Sequence, residues 1–330
     1  MPDEREEKRT NVGVDIQRAA QLLEAGELVA IPTETVYGLA GNALSPPAVA
    51  KIFEVKARPH FDPLIVHLAG VDVLKNFVTE VPRWAAQLAE AFWPGPLTVV
   101  LSKKSDIPDL VTAGRNTVAL RVPNHPLALE LLKALPFPLA APSANPFGYI
   151  SPTSAKHVVD QLGDQIAYVL DGGHCSVGIE STIVGEQEGK PVILRQGGTS
   201  AESIAEVIGE IGISANSESH LASGAIAPGM LSSHYAPRTP LILDDPDSEN
   251  SNLMKVGALR FSKIIEIVPH VQQRVLSTTG DLREAALNLF AAMRELDAMH
   301  LDAIYAELVP NVGLGRAIND RLQRASVRGI

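Results

Sequence analysis

Apolar residues change their spacing repeatedly along the chain. Between Asp15 and Glu27 they recur at Ile16, Ala19, Ala20, Leu22 and Leu23, the interval of one helix face. The unbroken run "LVAIPT" (28–33) then predicts a buried strand. "SPPAVAKIFEVK" (45–56) sets Ser45 as an N-cap ahead of Pro46 in the first turn of a second helix. "PLIVHLAG" (63–70) predicts a strand, and "RWAAQLAEAFW" (83–93) a helix halted by "PGP". Further strands are predicted at "LTVVLS" (97–102), "TVALRV" (117–122), "PLAAP" (138–142), "AYVLDGG" (167–173), "STIVGE" (181–186) and "PVILRQ" (191–196), with helices at 125–135, 152–162 and 200–210. Strands mixed with helices indicate a layered α/β or α+β fold. Several strands follow one another too closely for crossover helices, which predicts a mixed sheet.

The pattern breaks between 213 and 239, where Ser, Ala, Gly and Pro crowd together and periodicity fades. That stretch reads as a linker. Beyond it come "PLILDD" (240–245), "KVGALRF" (255–261), a helix near 281–298, a strand at "DAIYAELV" (302–309) and a last helix near 314–325. The chain therefore divides into a main domain (1–212), a linker (213–239) and a smaller α/β domain (240–330), each domain within the usual size range.

Polar pairs two residues apart mark several strand ends. In extended chain such residues point to one side. Thr33 and Thr35 end the first strand, Lys56 and Arg58 follow the second helix, and Ser143 and Asn145 lie between Pro142 and Pro146. On "TVALRV", Thr117, Ala119 and Arg121 share a face, and the small alanine leaves room for a ligand. Prolines stiffen these positions, because a residue before proline is pushed into extended backbone; Arg58, Asp62, Val122, Ala141 and Asn145 all precede one. Taken singly, each feature has an ordinary explanation. His67 between Val66 and Leu68 suits a hydrogen-bonded core histidine, Cys175 a small buried residue, and Glu180 an acceptor for backbone donors. The combination is what points to a site.

Charge and motifs narrow the chemistry. The 330 residues carry a formal net charge of -10, which argues against sequence-independent nucleic-acid binding, since that needs Lys and Arg to displace counterions. One cysteine allows no internal disulfide and fits a reducing cytosol. The charged N-terminus "MPDEREEKRTN" has no apolar core, and no stretch approaches the roughly 20 apolar residues of a membrane span. These readings predict a soluble, cytoplasmic protein. No G-x-S-x-G, H-E-x-x-H or paired C-x-x-C occurs. "GEQEGKP" (185–191) is one residue short of a P-loop, with Pro191 where Ser or Thr would bind magnesium. "GLG" (313–315) lacks the remaining glycine and acidic partner of a dinucleotide fingerprint.

Seven blocks in order, "PTETVYGLAGNA" (32–43), "KARPHFDPLIVHL" (56–68), "FWPGPLTVVL" (92–101), "VALRVPNHP" (118–126), "APSANPFGYISPT" (141–153), "DGGHCSVGIESTIV" (171–184) and "ILRQGG" (193–198), resemble the threonylcarbamoyl-AMP synthase family. With "APGMLSSHYAP" (227–237) in the linker, the chain is similar to the two-domain branch of that family. The resemblance implies a twisted mixed sheet around a deep basic cavity, with a Rossmann-like C-terminal domain. It implies synthesis of threonylcarbamoyl-AMP from L-threonine, bicarbonate and ATP, with Mg²⁺ carried by ATP oxygens and no protein metal ligand. The product then passes to a separate tRNA threonylcarbamoyl-transfer complex.

By the same resemblance Lys56 and Arg58 are the catalytic cations on the phosphates. Ser143, Asn145, Ser151, Thr117 and Arg195 line the nucleotide site, and Tyr235 closes over it. Thr35, His67, Arg121 and Ser181 bind threonine. Two departures stand out: Asp62 where Asn is frequent, expected to meet ribose or a metal, and Phe147 where Ser is common. Arg58→Ala is expected to abolish turnover and leave the melting temperature nearly unchanged. The rival readings are an RNA-binding protein of the same fold and an enzyme that adenylates or carbamoylates another acceptor.

Overall fold

An eleven-stranded sheet organises the main domain. The structure is a computed structural model that describes residues 11–214, 233–243, 255–264 and 271–327. The strands are β1 (Asn11–Gly13), β2 (Val29–Ile31), β3 (Gly38–Asn42), β4 (Ile65–His67), β5 (Leu97–Ser102), β6 (Thr117–Arg121), β7 (Leu139–Ala140), β8 (Tyr168–Leu170), β9 (Thr182–Gln187), β10 (Lys190–Arg195) and β11 (Gly212–Ile213). They lie in the order β1-β8-β2-β3-β7-β4-β6-β5-β9-β10-β11. The sheet is mixed: β4 runs parallel to β6 and β5 to β9, while β3, β7 and β4 form successive antiparallel pairs.

Helices α1 (Ile16–Glu24), α2 (Pro46–Lys56), α3 (Arg83–Phe92), α4 (Asp109–Thr112), α5 (Pro126–Ala134), α6 (Ala155–Leu162) and α7 (Ala201–Ile208) cover the sheet. Local chemistry sets where they start. Asp15 accepts from the Arg18 amide, Ser154 from that of His157 and Ser200 from that of Ser203, each satisfying a donor the helix leaves open. Ser45 sits at the cap of α2 without a side-chain bond, and Pro46 supplies the preset first turn. The main apolar core joins Ile52 and Phe53 of α2 to Leu88 of α3, Val158 of α6 and sheet residues such as Leu39, Val66 and Leu120. A second core holds α1 and α5 against Val29, Ile31 and Leu170.

The C-terminal region builds a separate four-stranded sheet, ordered β12 (Leu241–Ile242), β15 (Ala303–Ala306), β13 (Val256–Arg260), β14 (Gln272–Val275), with every pair parallel. Helices α8 (Leu282–Asp297) and α9 (Gly315–Ser326) pack on it. Parallel strands, with α8 linking β14 to β15, give the Rossmann-like arrangement. Its core does not stop at the domain edge: Val36, Ile150 and Ile179 of the main domain and Tyr235 join Leu289, Phe290 and Leu322. Of the expected linker, residues 215–232 lie outside the described residues. No helix among the described residues is long and apolar enough to cross a membrane.

The chain leaving β10 passes very close to the segment entering β9. The Gly198 amide donates to the Glu180 carbonyl at 2.9 Å. A Cβ on Gly197 would fall 2.3 Å from that oxygen and 2.4 Å from the Ser181 carbonyl carbon. Only glycine fits there without displacing backbone. Gly197→Ala is therefore expected to cost about 1–3 kcal/mol, the usual range for overpacking, read as a lowered melting temperature. An unchanged melting temperature would mean that the Glu180–Ser181 segment yields freely.

Candidate active site

Three sheet features converge on one cavity of about 560 Å³, the space open at its mouth included. The first is the β2–β3 connection. Thr33 folds inward there: its Oγ1 donates to the Val36 carbonyl at 2.6 Å and accepts from the Val36 amide at 3.2 Å. That turn, not an extended strand end, holds Thr35 Oγ1 2.9 Å from Thr33 Oγ1. The second is the parallel register of β4 and β6, which sets His67 directly opposite Arg121. The third is the entry to β9, where Ser181 Oγ lies 2.7 Å from Thr98 Oγ1 on neighbouring β5. Thr35, His67, Arg121 and Ser181 all line the cavity.

Arg121 is the hub of this end. It is buried, donates from Nη1 to Thr35 Oγ1 at 2.9 Å and from Nε to the Gly95 carbonyl at 3.1 Å. Its Nη2 lies 2.8 Å from Glu34 Oε2, a contact between charges without an aligned hydrogen bond. Burial, and then the Arg121 charge, push the His67 imidazole down to about 3, so it is neutral at physiological pH. His67 Nδ1 has no hydrogen-bond partner among the described residues. A buried polar atom left open in this way is a common mark of a ligand contact.

The wall continues through Ser143, Arg58, Arg195, Glu180, His234 and Tyr235. Arg195 donates twice to the Ser181 carbonyl, from Nε at 3.2 Å and Nη2 at 2.8 Å. Three guanidinium groups against one lining carboxylate make the cavity cationic, although the chain as a whole is acidic. Tyr235 adopts left-handed backbone (φ 64°), which its surroundings enforce: its ring stacks on Phe290, its neighbour His234 packs edge-on against it, and the Ala236 amide donates to Gly148. Tyr235 Oη and His234 Nδ1 are buried without hydrogen-bond partners among the described residues. Burial, followed by the charges of Arg58 and Lys56, holds His234 well below the ordinary histidine range.

Other expected residues lie behind this wall. Lys56 is the last residue of α2, and Ala57 turns left-handed (φ 49°), so Lys56 and Arg58 are not the same-side pair an extended chain would give. Lys56 Nζ instead reaches the carbonyls of Ser143 and Asn145, both at 2.5 Å, and pins that loop. Burial and then Arg58 pull its pKa well below the usual lysine range. The Asn145 amide is fixed, donating to the Pro146 and Tyr149 carbonyls at 2.7 and 2.9 Å, and its Oδ1 is left open. Ser151 Oγ donates to Glu180 Oε1 at 2.5 Å. Thr117 stands at the far end of β6, four residues or about 13 Å from Arg121 at the ordinary strand rise, and does not reach this cavity.

Asp62 departs from its expected role. It is fully buried, and its Oδ2 lies 2.9 Å from Arg58 Nη2. Burial raises its pKa, opposed first by Arg58 and then by Lys56. Enclosed beside Arg58 and Lys56, Asp62 offsets part of their charge and does not line the cavity, and neither carboxylate oxygen has an aligned hydrogen bond among the described residues. Phe147 carries Arg58 over its ring at 5.8 Å and meets His234 edge-on. This arrangement also revises the stability part of the expectation for Arg58→Ala. Removing one partner of a buried pair strands the other, at about 3–5 kcal/mol. Glu180, expected to serve backbone donors, serves Ser151 and Arg321 instead.

Three contributors were not anticipated. Glu34 sits inside the "PTET" block and His234 beside Tyr235, so both lay next to marked residues. Arg321 comes from α9, 141 positions beyond Glu180, and nothing local in the sequence marks it.

Two sequence families match the chain. One, described as "Telomere recombination", covers residues 21–197, and "Threonylcarbamoyl-AMP synthase, C-terminal domain" covers 199–327. A Pyrococcus abyssi protein named threonylcarbamoyl-AMP synthase is 42% identical over 318 residues, 94% of each chain. A Bacillus subtilis protein of the same name is 40% identical over 325 residues, covering 94% of this chain and 92% of its own. A crystal structure of P. abyssi Sua5 complexed with L-threonine superposes with a TM-score of 0.85 at 40% identity, covering 96% of this chain and 97% of that one. Residues, cavity and overall architecture agree: the chain belongs to the threonylcarbamoyl-AMP synthase family.

Proposed function

We propose that this chain joins L-threonine, bicarbonate and ATP into L-threonylcarbamoyl-AMP, releasing pyrophosphate, as the first step of threonylcarbamoyladenosine formation in tRNA. The observation that carries the reading is the convergence of Thr35, His67, Arg121 and Ser181 at one end of a cavity whose wall runs on to Arg58 and Arg195. An amino acid has a carboxylate that a guanidinium can clamp, and Arg121 is placed for it. The P. abyssi relative complexed with L-threonine supports threonine as the amino acid. The triphosphate belongs beside Arg58 and Arg195, with Ser143 and Tyr235 around the nucleoside.

The chemistry asks little covalent help. The threonine amine captures carbon dioxide from bicarbonate as a carbamate, and a carbamate oxygen attacks the α-phosphate. The enzyme must juxtapose anions and offset the charge that builds up, which is positioning plus preorganised electrostatics. Magnesium enters as part of the MgATP substrate. The described residues hold no cluster of three or more His, Cys, Asp or Glu side chains suited to a metal, and Glu180 is already held by Ser151 and Arg321. The setting is the cytoplasm, and the product goes to a tRNA threonylcarbamoyl-transfer complex.

Protein mixed with MgATP and bicarbonate is expected to release pyrophosphate only when L-threonine is added. Release without threonine favours another acceptor, and no release combined with salt-sensitive RNA binding favours an RNA-binding protein. Arg58→Ala is expected to lose both turnover and thermal stability. Arg58→Met with Asp62→Asn is expected to recover the melting temperature in calorimetry but not pyrophosphate release; recovery of both would remove Arg58 from the chemistry. His67 supplies a pH test. The unfolded chain takes up its proton near 6.5 and the folded chain only near 3, so folding stability falls as pH drops through that window. Urea denaturation at pH 7 and pH 5 is expected to show a smaller drop for His67→Gln than for the parent. An equal drop means the imidazole charges in the folded state.

A further inference from the structure

The C-terminal domain places one side chain at the cavity wall from behind. Arg321 on α9 is fully buried. Its Nε donates to Glu180 Oε2 at 3.0 Å and its Nη1 to the Gln196 carbonyl at 2.5 Å. Its guanidinium carbon lies 5.3 Å from the centre of the Tyr235 ring. The other Glu180 oxygen accepts from Ser151 Oγ. Glu180 is thus gripped on both oxygens, once by the main domain and once by the C-terminal domain. It also lines the cavity beside Arg195 and Ser181.

A carboxylate on that wall opposes any anionic substrate. At a few ångströms in a partly buried site, like charges repel by kilocalories rather than tenths. Arg321 removes the difficulty in two ways: it offsets the charge, and it holds the carboxylate toward α9. We propose that Arg321 is a positioning residue for the nucleotide, through which docking of the C-terminal domain makes the wall at Glu180 compatible with a triphosphate. This rests on the assignment of ATP to the cavity given above. The plain alternative is an ion pair that only glues two domains together.

The two differ in what rescues the loss. In the full chain, Arg321→Met is expected to weaken MgATP binding in calorimetry by about tenfold or more, the scale of one unpaired like charge left on the wall. Threonine affinity is expected to stay within about twofold, a change too small to count as a lost contact. Adding Glu180→Gln removes the unpaired charge and is expected to restore most of the ATP affinity. A glue contact predicts that ATP and threonine affinity fall together in Arg321→Met and recover together in the double variant, because neutralising both partners of a buried pair regains stability; an equal loss for both ligands therefore overturns the proposal. Full ATP affinity in Arg321→Met, or a double variant as weak as the single, overturns the proposal. Should Arg321→Met fail to fold, the double variant compared with the parent chain decides: near-parental ATP binding supports it and a tenfold loss overturns it. A parent chain that binds no ATP overturns the functional reading and this inference with it. A parent that binds ATP, with Arg321→Met unaffected, overturns the positioning role alone.

Discussion

The cost of holding charge away from water governs this molecule. Arg58 with Asp62, Arg121 with Glu34 and Arg321 with Glu180 are all taken out of solvent together. An isolated buried ion costs several kcal/mol, and pairing makes it tolerable without making it strongly stabilising. Lys56 is handled differently. Its hydrogen-bond partners are the carbonyls of Ser143 and Asn145, dipoles that steady a cation without cancelling it. The result is an interior that stays electropositive at the cavity while the outer surface carries the acidic excess.

That economy needs both domains. On α8, Arg294 donates to the Ile150 and Ser151 carbonyls and to Gln161 Oε1, and Asp297 accepts from Tyr149 Oη at 2.6 Å and from the Thr239 amide at 2.8 Å. The loop that carries Asn145 and Ser151 is therefore held from above by the C-terminal domain and from below by Lys56. Tyr235 stands between the two domains, its ring shared with the apolar core of the second. The segment after residue 232 is thus anchored by packing, not by length.

Most of the larger elements were legible because they obey a clear period, such as α1, α3, α8 and the strands β5, β6 and β10. The pieces that escaped are short or lack alternation: β1 is "NVG", β14 is "QQRV" and α4 has four residues. Candidate residues were legible where each sat inside a recognisable block, as with Thr35, His67, Arg121 and Ser181, although the four are far apart in sequence. Spacing misled at Lys56 and Arg58, because a left-handed Ala57 replaces the extended backbone on which the two-residue rule depends. Asp62 misled because a carboxylate near cations reads equally as ligand contact or counter-ion, and only burial separates them. Arg321 could not be foreseen, since its partner is fixed by how two domains dock.

The His67–Arg121 alignment has a consequence for how this protein can vary. Those side chains are neighbours because two inner strands run in one fixed parallel register, and a slip of one residue would put them on opposite faces. Loops around the mouth can lengthen, shorten or change partner without disturbing that pairing. The alignment of the two side chains is therefore a property of the ladder itself, independent of the rim.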